Sequence, residues 1–242
     1  MHINTIGGTQ WRELAGLLTS MPLTPSQLTF ESGGKPIRLD AYLSNSNTKL
    51  PAVLALYGSG GGIEGMNEPA SMLAEQGFAV FVLHYFDRTD TTQATDKQTI
   101  FRHFPAWGKT VWDAIGHIAQ HPQVDPERIG LLGFSLGAYL ALSVASVDSR
   151  VKVVVEFFGG LPKEMRLFMR RLCPTLILHG EADPIILVSE AYDLQALLEK
   201  KNVAYEMKIY PGQGHVFDNE TWQDAAQRSL HFLKKHLAVP ET

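Results

Sequence analysis

The chain has 242 residues, 45% hydrophobic and 19% charged, which is the composition of a folded globular protein and excludes a disordered one. Lys+Arg 21 against Asp+Glu 25 leave a formal net charge of −4, without the basic excess of a general nucleic-acid binder. The single cysteine, Cys173, excludes an internal disulfide and a cysteine-rich metal cluster, and it fits a reducing compartment.

Residues 1–20 hold no basic segment followed by an apolar core, so they do not read as a secretory signal. Trp11, Leu14, Leu17 and Leu18 recur there at helical spacing, an amphipathic extension. Residues 28–31 and 37–43 flank Ser32-Gly33-Gly34-Lys35, a turn signal that predicts an antiparallel hairpin. The runs 52–57, 78–83, 129–134, 151–157, 175–179 and 205–210 are almost continuously apolar, as parallel strands covered on both faces are. Helical patterns at 69–76, 111–120, 136–146, 189–200 and 221–236 alternate with them. Between these, 90–107 reads as a polar loop followed by aromatics, a candidate pocket entrance. The longest aliphatic and aromatic stretch, 78–83, falls far short of the ~20 residues that cross a bilayer.

Strand and helix in alternation predict one α/β domain over 1–242, with an extension at 1–26 and a core at 27–237. Its sheet is expected to be mostly parallel and doubly wound, with an antiparallel N-terminal edge hairpin. Functional residues then belong at the carboxyl ends of the parallel strands. A soluble cytoplasmic protein is expected, with no nucleic-acid or membrane partner. Oligomeric state is not legible.

Gly133-Phe134-Ser135-Leu136-Gly137 matches Gly-x-Ser-x-Gly between a buried strand and a small-residue helix. A serine on so sharp a turn adopts a strained backbone, and the helix behind it points N–H groups at charge developing beside the hydroxyl. A packing turn ahead of a helix is the plainer alternative. A serine nucleophile needs a base, and the base an orienting acid, in the chain order Ser, Asp or Glu, His. Asp183 follows the strand at 175–179, with Glu181 as rival; Asp-Pro at 183–184 favours Asp183 as the loop leaves the strand. His215 stands in a Gly-rich loop after the next strand.

Together with Tyr85-Phe86-Asp87-Arg88, Asp125-Pro126-Glu127-Arg128-Ile129-Gly130, His179-Gly180-Glu181-Ala182-Asp183 and Gly214-His215-Val216-Phe217, these residues resemble the α/β-hydrolase superfamily, and more narrowly the dienelactone hydrolase family. The resemblance covers about residues 28–236 and implies the α/β-hydrolase fold, with Ser135, Asp183 and His215 as catalytic triad. It places the loop Tyr57-Gly58-Ser59-Gly60-Gly61-Gly62 where the second oxyanion N–H arises, so Leu136 and Ser59 are the expected donors, with Gly60 or Gly58 behind Ser59. A phosphate cradle is the alternative for that loop, but the Gly-Lys-Ser/Thr ending is missing. By resemblance Arg88 binds a substrate carboxylate, and Tyr85 and Gly60 lie at the substrate end; an ion pair of Arg88 with Asp87 or Asp90 is the competing reading. The sequence departs from the family in three places: Ser135 replaces the usual cysteine, Tyr57 stands where a carboxylate is usual, and no arginine closely follows His215.

The expectation is a serine hydrolase of esters, thioesters or lactones of small carboxylic acids, working without cofactor. An acyltransferase or peptidase of the same fold, or a silent binding module, are the alternatives. His117 and His121 stand four residues apart on a predicted helix, but without a Glu beside His117 or an evident third ligand they read as surface histidines rather than a metal site. Cys173 reads as a small buried hydrophobe.

Overall fold

The computed structural model describes residues 23–237, so the stretch carrying Trp11, Leu14, Leu17 and Leu18 lies outside the described residues. The chain opens with β1 (Ser26–Ser32) and β2 (Lys35–Tyr42), paired antiparallel with Phe30 opposite Ile37. Gly33 and Gly34, at φ 54° and 75°, make the two-residue turn, whose left-handed conformations match the twist of the hairpin. There follow β3 (Leu50–Leu56), α1 (Asn67–Glu75), β4 (Ala79–Leu83), α2 (Lys97–Ile118), β5 (Val124–Phe134) and α3 (Leu136–Ala145). The last elements are β6 (Val151–Phe157), β7 (Thr175–Gly180), α4 (Ser189–Lys200), β8 (Tyr205–Tyr210) and α5 (Asn219–Leu237).

One eight-stranded sheet results, in the order β1-β2-β4-β3-β5-β6-β7-β8. β2 meets β4 antiparallel, and every pairing from β4 to β8 is parallel. The expected mixed architecture with an N-terminal edge hairpin is therefore observed. All of β4 is buried, as is β3 after its first residue, which explains why these runs are apolar without alternation. At the far edge β8 is only half-buried until Tyr210 and carries Glu206 and Lys208, charges that discourage pairing with another sheet. The chain leaves β3 for β4 on one side and returns to β5 on the other, so the topological switch point lies between β3 and β5. In open α/β sheets that crevice is where ligands bind.

The expected loop at 90–107 is corrected: α2 begins at Lys97 and runs through most of it. Asp96 caps the helix by accepting the Thr99 N–H at 2.8 Å. Pro105 sits inside it and removes one backbone donor, the feature that makes the segment look broken in sequence. Packing compensates. Trp107, Val111, Ala114, Ile115 and Ile118 form one buried stripe, and the Trp107 indole N–H donates to Thr89 Oγ1 at 2.9 Å.

Candidate active site

Ser135 links β5 to α3 with φ 53° and ψ −117°, a left-handed conformation that costs a non-glycine residue about 1–3 kcal/mol. Neighbours hold it there. Its N–H donates to Phe157 C=O at 3.0 Å, and its own C=O accepts from Ala138 N–H at 2.9 Å and Tyr139 N–H at 3.2 Å. A Cβ at Gly137 would come within 2.6 Å of the Leu56 carbonyl carbon and Tyr57 O, so α3 starts hard against the end of β3. Only glycine fits that approach.

Ser135, Asp183 and His215, far apart in sequence, meet at the C-terminal end of the sheet. His215 Nε2 is 3.1 Å from Ser135 Oγ, and His215 Nδ1 is 2.7 Å from Asp183 Oδ2. With Nδ1–H donating to the carboxylate, Nε2 is left to accept the serine proton. Asp183 is buried, and its Oδ1 accepts the N–H groups of Ile185 at 2.8 Å and Ile186 at 3.0 Å. The rival Glu181 is exposed, and Asp183 receives the imidazole. Such a chain can draw the hydroxyl proton onto the imidazole and stabilise the cation that forms.

The loop after β3 lies against the serine. A Cβ at Gly58 would sit 3.4 Å from Ser135 Cβ and 4.0 Å from Oγ, so Gly58 is the loop residue pressed on Ser135, with Ser59 next and Gly60 exposed beyond. The loop's carbonyls are tied elsewhere: Ser59 O accepts Ala94 N–H at 2.8 Å, and Gly58 O accepts Gly61 N–H at 3.3 Å.

Two residues expected at the substrate end are placed otherwise. Tyr85 is fully buried, and its hydroxyl donates to Tyr57 O at 2.9 Å and to Gly58 O at 3.4 Å. It supports the loop beside Ser135 from within the core. Arg88 donates through one guanidinium nitrogen to Ser32 O at 3.1 Å and to Gly33 O, clamping the β1–β2 turn. The competing ion pair is not formed, because Asp87 pairs with Arg38 at 2.7 Å and Asp90 with Lys35 at 2.6 Å.

Sequence reasoning missed three further groups. Phe158, at φ 42°, sets its ring 4.6 Å from the His215 imidazole and packs on Phe217 at 5.4 Å. His179 is fully buried; its Nε2–H donates to Ile186 O at 2.8 Å, and burial holds its imidazole below the usual pKa, hence neutral. It pins the loop that presents Asp183. Glu156, also fully buried, has its carboxyl pushed up to about 8 by burial, against the pull of the Gly159 N–H. An acid inside the run 151–157, apolar apart from Lys152 at its entry, was the available signal.

Among the described residues no group of three or more His, Cys, Asp or Glu side chains is arranged to hold a metal ion. His117 stacks on Phe30 at 5.2 Å and His121 meets Phe81 edge-on at 5.8 Å, both half-buried rather than on the surface. Cys173 is buried, and burial raises its thiol to about 11. No helix among the described residues is long and apolar enough to cross a membrane.

This sheet order, with a hydrogen-bonded Ser-His-Asp set at its C-terminal end, defines an α/β hydrolase. The model of the dienelactone hydrolase family matches residues 39–237, and the chain belongs to that family. It is 34% identical over 123 residues to acyl-coenzyme A thioesterase 5 of Mus musculus, a match covering 51% of this chain and 27% of that protein. The chain thus spans about a quarter of that relative's length. Among solved structures, a dienelactone hydrolase-like promiscuous phosphotriesterase from metagenomic libraries superposes with a TM-score of 0.75 at 16% identity, covering 88% of this chain and 98% of that one. A puromycin-hydrolysing peptidase of Mycobacterium tuberculosis superposes with a TM-score of 0.76 at 16% identity, over 92% of this chain and 41% of that one. At such identities these two share the fold.

Gly137→Ala should destabilise the chain by about 3 kcal/mol or more in urea unfolding, because backbone blocks the new methyl. Gly65→Ala, where nothing lies within 4 Å of the added Cβ, should be neutral or stabilising by about 0.5 kcal/mol. Arg88→Ala should cost about 1–2 kcal/mol of stability through the hairpin and change kcat/KM equally for neutral and anionic esters. A selective loss on anionic esters would return Arg88 to the substrate site. Glu156, with its folded pKa of about 8 above the 4.5 of a free carboxyl, keeps a proton that the unfolded chain releases. Its contribution to stability therefore falls as pH rises from about 4.5 to 8. Glu156→Gln, neutral throughout, should gain stability relative to the parent across that window when both are unfolded in urea at each pH.

Proposed function

We propose that the protein is a serine hydrolase that cleaves esters, thioesters or lactones of small carboxylic acids through an acyl-enzyme. The observation that carries this reading is the chain of hydrogen bonds from Asp183 through His215 to Ser135, 2.7 and 3.1 Å long. His215 Nε2 takes the hydroxyl proton as Ser135 Oγ attacks the carbonyl carbon, and the carbonyl π pair moves onto oxygen. Backbone N–H groups of Leu136 and of the Gly58–Ser59 loop bind that oxyanion, at the N-terminus of α3. The tetrahedral intermediate collapses, and the leaving alcohol or thiol departs with the proton from His215. Water, deprotonated by the same imidazole, attacks the acyl-serine and releases the acid. No cofactor enters these steps.

With Arg88 tied to the hairpin, the surroundings of the triad favour an uncharged acyl group. Phe134 and Phe158 flank Ser135 and His215, and Ile185 and Val216, 66% and 55% exposed, stand beside the acid and the base in the chain. The thioesterase named among the relatives supports including thioesters. Ser135→Ala should lower kcat on a p-nitrophenyl ester by about 10⁴-fold or more and abolish labelling by a fluorophosphonate probe. A Ser135→Ala variant as active as the parent would refute the assignment. Efficient cleavage of amides in preference to esters and thioesters would move the protein to the peptidases.

A further inference from the structure

Glu156 is the sixth residue of β6, in register with Gly133 of β5 and Ile177 of β7, and none of its surface is exposed. A carboxyl in so apolar a strand is expensive, and its Oε1 has no hydrogen-bond partner among the described residues. Leucine or methionine would serve the sheet at lower cost, so packing does not explain the acid. The other oxygen does. Glu156 Oε2 accepts the Gly159 N–H at 2.8 Å.

That N–H belongs to the residue after Phe158, a bulky aromatic held in the left-handed region at φ 42°. On one side, the Phe158 N–H donates to Leu178 O at 2.8 Å. On the other, the Glu156 carboxyl fixes Gly159, so the strained turn is tied at both ends. Without the second tie a buried N–H would be left without an acceptor, and Phe158 could relax to an ordinary negative φ. The ring lying 4.6 Å from the His215 imidazole would then leave its place.

We propose that Glu156 is a positioning residue for His215: by accepting the Gly159 N–H it locks Phe158 in the conformation that walls the imidazole between Asp183 and Ser135. This rests on the catalytic reading of Ser135, His215 and Asp183 given above. Glu156 touches no substrate and moves no proton; it acts through the Phe158–Gly159 turn. What it must supply is a hydrogen-bond acceptor at the right distance, and a negative charge is not required.

The test uses the full chain, with active sites titrated by a fluorophosphonate so that kcat is expressed per reactive serine. Glu156→Gln, which keeps a carbonyl acceptor, should retain kcat within about threefold. Glu156→Leu removes the acceptor and Glu156→Asp withdraws it by one methylene. Each should lower kcat about tenfold or more while KM stays within about threefold, because a small misplacement of the base slows chemistry without weakening binding. If the leucine variant does not fold, the aspartate variant carries the test. Phe158→Leu combined with Glu156→Asp should be no slower than the slower single variant, since both act through one ring. The proposal is overturned if the leucine and aspartate variants melt earlier yet keep the parent kcat per titrated site. It is equally overturned if Glu156→Gln is as slow as Glu156→Asp, or if the double variant is additive. Ser135→Ala separates the two levels: activity surviving there removes the catalytic reading and this proposal with it. A dead Ser135→Ala beside unaffected Glu156 variants removes the positioning role alone.

Discussion

The parallel hydrogen-bond ladder does not stop where the strands do. Past the end of β5, Ser135 N–H still bonds to Phe157 O of β6 at 3.0 Å; past the end of β6, Phe158 N–H bonds to Leu178 O of β7 at 2.8 Å. Past the end of β7, Glu181 N–H bonds to Tyr210 O of β8 at 3.0 Å. The loops that carry Ser135, Phe158 and Asp183 are thereby tied to the neighbouring strand in the register of the sheet. The relative positions of Ser135, Phe158 and the Asp183 loop are thus set by strand pairing, which is cooperative and buried, rather than by side-chain contacts alone. A further bond, Ala182 N–H to Gln213 O at 2.9 Å, joins the acid's loop to the loop of His215.

Strain at two neighbouring strand ends becomes intelligible on that footing. Ser135 and Phe158 both sit at positive φ, at the ends of β5 and β6, where Phe134 is paired with Phe157. Each such conformation costs about 1–3 kcal/mol. Burying a single large apolar side chain contributes about 1.5–3 kcal/mol, and the strands behind these turns bury Leu131, Val153, Val154 and Val155 completely. The rigid core can hold the turns in place, and their strain keeps a hydroxyl and an aromatic ring at the mouth of the crevice.

The sequence shows the sheet well because parallel strands that bury both faces advertise it as nearly continuous apolar runs, and it points to Ser135, Asp183 and His215 because Gly-x-Ser-x-Gly, Asp-Pro and the Gly-rich histidine loop each mark a strand end. Side-chain direction is another matter. Tyr85 and Arg88 follow β4, on the correct end of the sheet, yet a short 3₁₀ turn over Tyr85–Thr89 sends one hydroxyl to the backbone of Tyr57 and one guanidinium to the hairpin. No periodicity encodes such aim, since the competing acceptors lie 28 and 56 residues away. The N-terminal half of α2 was hidden by Pro105, whose lost hydrogen bond is outweighed by the burial of Trp107, a tertiary effect.

Glu156 and His179 show why a burial pattern alone undercounts a site. Both occupy inward positions of central strands, where hydrogen-bonding groups cost most, and both hold a backbone group of a loop next to the triad: the Gly159 N–H and the Ile186 carbonyl. Each also leaves an atom unpartnered among the described residues, Glu156 Oε1 and His179 Nδ1. A fold selected for stability alone would shed such groups. Their joint placement beneath Phe158 and Asp183 fits an arrangement in which stability is spent on fixing the imidazole from two sides, the acid through its carboxylate and the ring of Phe158 through its face. The hydrogen bonds of the triad are then the visible end of a polar framework that continues one layer down into the sheet.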